Sequence, residues 1–201
     1  IGKLQNWTAV KTIDAKGLAV APGFIDVHAH IETGIFDRPT ADNFIYDGVT
    51  TVVTGNCGNS ADDLTVFFSS IDSMKTSINI ASLAGHNTIK RIGMGLNNRL
   101  PTAEEQLKME ALMEKAMKDG AVGLSTGLIY LPGMYSKTEE IVALAKIASK
   151  YNGVYSTHMR NEGLKVTAEK VQKRTITEIV NASGKIYPED EVKVSPDISG
   201  V

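Results

Sequence analysis

Residues 18–32 read LAVAPGFIDVHAHIE, an apolar run that carries Asp26, His28 and His30. In a strand, positions i and i+2 share a face, so the two imidazoles would point the same way and could hold one metal ion together. Imidazole suits zinc and similar first-row ions. Asp26, two positions before His28, would extend the same polar face. Taken alone, the segment also fits two histidines that pack or cap a turn. A row of polar side chains in an apolar strand nevertheless argues for a lined cavity over a packed core.

Working outward, four more short runs have the same character: TTVVTGNC over 50–57, SINIASLAGH over 77–86, AVGLSTGL over 121–128 and GVYSTHMR over 153–160. Helix signals fall between and after them. Residues 102–118 open with Thr102 and Glu105 at capping-box spacing and close at Gly120. Residues 137–150 carry apolar positions at helical spacing and stop before Asn152-Gly153. A further helix is predicted over 166–180, and a less regular one over 61–75, whose residues are poor helix formers. Residues 1–17 read as short, polar and strand-like, with turns at Gly2 and Lys16-Gly17. Strands alternating with helices predict an α/β fold with a parallel sheet, and about five βα units fill part of an eight-stranded barrel of ~250 residues. Such a partial barrel would leave its first and fifth strands as open edges.

The chain of 201 residues is 42% hydrophobic and 22% charged, enough apolar residues for a core and too many for a disordered chain. Its 21 Lys and Arg balance 23 Asp and Glu, giving a formal charge of −2. The charges are scattered, which argues against nucleic acid or anionic membrane partners. No apolar run approaches the ~20 residues that span a bilayer. One cysteine, Cys57, precludes an intramolecular disulfide. The compartment is left open, because the chain begins with Ile1 where a translated start would carry methionine.

Candidate functional residues gather at the C-terminal ends of the runs, where parallel α/β folds place their active sites. Cys57 follows Gly55-Asn56 and precedes Gly58. It is either a small buried hydrophobe or a thiolate meeting a metal at His28 and His30. His158 and Arg160 pair a possible ligand with a cation able to grip a carboxylate or carbonyl, or else make structural contacts to an acid. For His86, structural or supporting duty is weighed against direct ligation. Ser125, in Gly123-Leu124-Ser125-Thr126-Gly127, invites a nucleophile reading. It lacks an elbow context and an identified histidine–acid pair, so lining or a turn is preferred. The loop from Tyr130 to Tyr135 suits a substrate wall.

Ala21-Pro22-Gly23-Phe24-Ile25-Asp26-Val27-His28-Ala29-His30 resembles the first-strand signature of the amidohydrolase superfamily. Residues 48–58 (GVTTVVTGNCG), 85–88 (GHNT), 120–128 (GAVGLSTGL) and 157–163 (THMRNEG) narrow the resemblance to the N-acyl-D-amino-acid deacylases, or D-aminoacylases, over roughly 18–163. The resemblance implies a TIM-type (β/α) barrel, apparently incomplete, and the zinc-dependent hydrolysis of N-acyl-D-amino acids to a carboxylate and a D-amino acid. It implies one or two zinc ions. His28 and His30 match the weaker metal site, Cys57 the bridging ligand and His158 the tighter site, while Arg160 and Tyr130 face the small-molecule substrate.

The resemblance also sets expectations that this chain departs from. The family supplies a later histidine and an aspartate that shuttles the proton; no histidine follows His158, and Asp197 alone has the shape of a strand-end carboxylate. The implied organisation is residues 1–17 as the remnant of a small β-sandwich, 18–163 as a partial barrel, and 164–201 as an atypical segment. A dihydroorotase-like cyclic amidase and an inactive remnant are the alternatives. Cyclic amidases typically place lysine where Cys57 stands, which favours the deacylase. Oligomeric state and the preferred acyl group or side chain are left open.

Overall fold

The computed structural model describes residues 8–161 and the strand 180–182. The predicted turn at Gly2, most of the predicted helix 166–180, Asp197 and the greater part of segment 164–201 lie outside the described residues. Elements run in the order β1 (Phe24–Asp26), α1 (Gly34–Asp37), α2 (Asp42–Tyr46), β2 (Val49–Thr54), α3 (Leu64–Met74), β3 (Asn79–Ser82) and β4 (Ala84–Gly85). There follow α4 (His86–Met94), α5 (Ala103–Lys118), β5 (Gly123–Gly127), a 3-10 turn (Gly133–Tyr135), α6 (Thr138–Lys150), β6 (Val154–His158) and β7 (Val180–Ala182).

Every strand pairing is parallel, in the orders β1-β2-β3 and β4-β5-β6-β7. β3 and β4 are one path broken at Leu83. Leu83 N–H still donates to Thr54 O at 2.9 Å, and Val122 N–H to Ser82 O at 2.9 Å, so the two sheets follow one another without a gap. The α/β class and parallel order agree with the sequence reading. Three details do not. The fifth predicted strand is not an edge, because β6 pairs with β7. Val180, expected to close a helix, opens that strand. The described part of the predicted first segment, residues 8–17, holds no strand, although the Lys16-Gly17 turn is present, with Leu18 N–H donating to Ala15 O at 2.9 Å.

Among the described residues β1 pairs only with β2, and it exposes Phe24, Ile25 and, just beyond it, Val27. The opposite side of the sheet is sealed by helices. Val52 and Leu124 are fully buried in one core that also holds Met109 and Met113 of α5 and Leu144 of α6. Met109, Met113 and Met117 recur every fourth residue, so one stripe of α5 meets the sheet. The helix begins where the sequence says it should. Glu105 N–H donates to Thr102 Oγ1 at 3.2 Å and Thr102 N–H to Glu105 Oε2 at 2.8 Å, which closes the capping box. α3 is capped by Asp63, which accepts from Val66 N–H at 3.1 Å.

The helix α4 has no counterpart in the sequence reading. Its buried residues include His86, Asn87, Thr88 and Lys90, polar types that a sequence reading places towards solvent, and Asn87, Thr88 and Gly93 are weak helix formers. Replacing Thr102 with alanine should cost about 1 kcal/mol. Urea unfolding checks this: the midpoint falls while the slope stays the same.

Candidate metal centre

The two histidines lie beyond β1 rather than within it, because the strand ends at Asp26. Strand alternation is therefore not what aims them. Asp26 Oδ1 accepts the His28 N–H at 2.9 Å, turning the chain, and Ala29 N–H donates to Val53 O at 3.0 Å, which keeps the segment alongside β2. The rings still end up together, with centroids 5.3 Å apart in an edge-on arrangement.

β2 likewise stops at Thr54, and Cys57 sits in the turn that follows with φ +53°, the left-handed region that a residue with a Cβ rarely occupies. From there its Sγ lies 3.3 Å from His28 Nε2 and 3.5 Å from His158 Nδ1. His28, His30 and Cys57 each bring a ligand atom within 4.8 Å of the others. His158 arrives from the end of β6, whose last residue pairs with Gly127.

The Cys57 sulfur thus stands between the His28–His30 pair and His158, the four side chains coming from three parallel strand ends. Zinc bonds of 2.0–2.3 Å at tetrahedral angles place neighbouring ligand atoms roughly 3.4–3.6 Å apart, matching the sulfur–nitrogen separations here. Three imidazoles and a thiol also form a chemically suitable donor set. Burial, with the neighbouring His30 and His158, lowers the His28 pKa despite the opposing pull of Asp26, so the ring is inclined to be neutral, as a ligand must be. Burial raises the Cys57 thiol, and a bound cation is what would favour its thiolate.

The segment carrying Tyr130 borders this cluster. The Tyr130 and His158 rings stand 5.0 Å apart, edge to face. Arg160 does not project freely. Its Nη2 donates to Ser136 O at 2.7 Å and its Nη1 to Met134 O, which ties the loop to the end of β6. The Met134 side chain on that loop is 45% exposed.

Two residues weighed in the sequence have structural settings. His86 opens α4 and is wholly buried, its Nε2 2.8 Å from Glu140 Oε1. Lys90, also wholly buried, reaches Glu140 Oε2 at 2.7 Å, and Ser136 Oγ donates to Oε1 at 2.8 Å. A carboxylate only accepts, so His86 Nε2 carries the proton, and Nδ1 has no hydrogen-bond partner among the described residues. Ser125 is buried too, with its hydroxyl spent on the backbone around Cys57.

Glu32 was missed in the sequence. Its Oε1 accepts from Thr54 Oγ1 at 2.6 Å and Gly55 N–H at 2.7 Å, joining the histidine segment to the Cys57 turn. A carboxylate two residues after His30, in a segment already marked by its histidines, was the available signal.

A family model described as "Amidohydrolase family" matches residues 11–155. A D-aminoacylase of Alcaligenes xylosoxydans xylosoxydans is 37% identical over 191 residues, covering 84% of this chain and 40% of its own length. The crystal structure of N-acyl-D-glutamate deacylase from Bordetella bronchiseptica, complexed with zinc and a phosphonate inhibitor, superposes with a TM-score of 0.66 at 34% identity, covering 70% of this chain and 34% of that one. A D-aminoacylase structure described by its binuclear metal centre matches with the same TM-score at 32% identity, covering 70% of this chain and 35% of its own. The chain therefore spans about 40% of the length of the curated relative.

The Glu140 network makes a pH prediction. Burial pushes the carboxyl up, but the hydrogen bonds from His86 and Lys90 outweigh it and hold the pKa at about 2, below the ordinary 4.5. The stabilisation is present above pH 4.5 and is lost as pH falls towards 2. Glu140→Gln strands the buried Lys90 charge and should cost about 3–5 kcal/mol at neutral pH. In denaturant titrations at several pH values, its deficit against the unaltered chain should shrink across that acid window.

Proposed function

The chain belongs to the amidohydrolase family, and from that premise we propose that it carries the metal-binding portion of a zinc-dependent hydrolase acting on N-acyl-D-amino acids. Water is added across the amide to release a carboxylate and a D-amino acid. The observation that carries this reading is the convergence of His28, His30 and His158 nitrogens on one sulfur, that of Cys57. These residues would hold one or two zinc ions. Bound zinc supplies a Lewis acid for the amide carbonyl and lowers the pKa of a water. The similarity to a D-aminoacylase and to an N-acyl-D-glutamate deacylase structure with zinc supports the substrate class.

In the same reading the protein groups divide the remaining work. Tyr130, beside His158, forms a wall for the substrate. Arg160 holds the Met134–Ser136 backbone and presents positive charge at the rim, where an amino-acid carboxylate would bind. Asp26 is committed to the turn that sets His28. The strands within 18–163 would form a partial (β/α) barrel, with 1–17 as the remnant of a small β-sandwich segment and 164–201 as an atypical segment.

The test joins metal content to turnover. The purified chain, given zinc, should retain it through gel filtration and release methionine from N-acetyl-D-methionine at most slowly, because no histidine follows His158 and the shuttle aspartate has no established counterpart. Cys57→Ala should lose the tightly held ion, since thiolate is the strongest ligand in the set. Elemental analysis showing unchanged zinc in that variant would remove the sulfur from the site. Zinc retention without amine release would leave a metal-binding chain without the proposed activity.

A further inference from the structure

We infer that Ser125 is a positioning residue that holds the Cys57 sulfur towards the imidazoles, an assignment that rests on the reading of Cys57 as a metal ligand. Left-handed backbone at a non-glycine residue is strained and persists only where the surroundings enforce it. At Cys57 the enforcement comes from β5. Ser125 is fully buried in the middle of that strand, 67 to 70 residues along the chain from the groups it binds. Its Oγ accepts the Gly58 N–H at 3.0 Å and donates its proton to Gly55 O.

One hydroxyl therefore bridges the backbone on both sides of Asn56-Cys57. Only a group that donates and accepts at a single atom can do this, which in a space this small means serine or threonine. The donation to Gly55 also explains why Ser125 is not a nucleophile: its proton is committed to a buried carbonyl.

The rest of the turn is held from other sides. Gly58 O accepts from Asn87 N–H at 2.8 Å and Thr88 N–H at 3.2 Å, the first residues of α4. A Cβ at Gly127 would run into the Cys57 carbonyl, and one at Gly58, already at φ +79°, would press on Gly127 N and Asn87. These contacts bound the turn from outside without fixing the conformation within it. The hydroxyl is the link that pairs its inward-facing polar groups, so removing one oxygen frees the turn to relax from the left-handed conformation while the packing around it stays.

The test uses the purified full chain and its single cysteine, which makes every thiol signal a Cys57 signal. Ser125→Ala should weaken zinc binding by about 10- to 100-fold, the range for residues that orient ligands. It should diminish the thiolate-to-metal charge-transfer band of the cobalt-loaded chain and change the rate at which the metal-free thiol is labelled. Thr102→Ala, destabilised at a distant helix cap, should move none of the three. A folded Ser125→Ala chain with zinc affinity within about twofold of the unaltered chain overturns the assignment. So does one that fails to fold, because the hydroxyl then serves the fold at large. If the unaltered chain itself shows no charge-transfer band with cobalt, the ligand reading of Cys57 is what fails.

Discussion

Parallel pairing is the constraint on which the rest depends. A strand that runs alongside its predecessor in the same direction must be reached by a crossover, so every strand delivers its C-terminal end to the same pole. That is why His28, Cys57 and His158, up to 130 positions apart, can meet within a few ångströms. The ladder also fixes register, with Thr54 opposite Ser82 and Gly127 opposite His158.

The site itself is built in the turns beyond the strands. Backbone geometry there is irregular, and ordinary ladder hydrogen bonds are replaced by side chains. Glu32 holds Thr54 and Gly55, Asn56 Nδ2 reaches Val53 O at 2.9 Å, and Ser125 and the start of α4 take up the groups around Gly58. Buried backbone must be paired, and these side chains do the pairing that a longer strand would have done. The Glu140 cluster does similar work one layer out. The buried His86 and Lys90 side chains and the Ser136 hydroxyl join α4, α6 and the loop that Arg160 holds.

The long helices were legible because their signals are local: a capping box at Thr102, a methionine stripe on α5, and an apolar face on α6 ending before Gly153. The donor set of the site was legible for a different reason, since histidine and cysteine at strand ends are chemically conspicuous. What escaped was whatever depends on distant partners. α4 buries polar residues against distant partners, so its inward face does not read as apolar. The shared orientation of His28 and His30 was expected from strand alternation but is produced by an Asp26 turn cap and a bond to Val53. The pairing of β6 with β7 joins positions separated by a long stretch of sequence, and nothing in the short run around Val180 announces a strand.

The placement of the methionines carries a further consequence. Met109 and Met113 are sealed against the sheet, whereas Met134 stands 45% exposed on the loop whose carbonyls Arg160 grips. Dissolved peroxide would meet Met134 long before it met the helix. The resulting sulfoxide, polar and chiral, would form at the rim of the candidate site while leaving the core chemically untouched. Oxidative damage to this protein would then begin as a local change at its mouth rather than as unfolding.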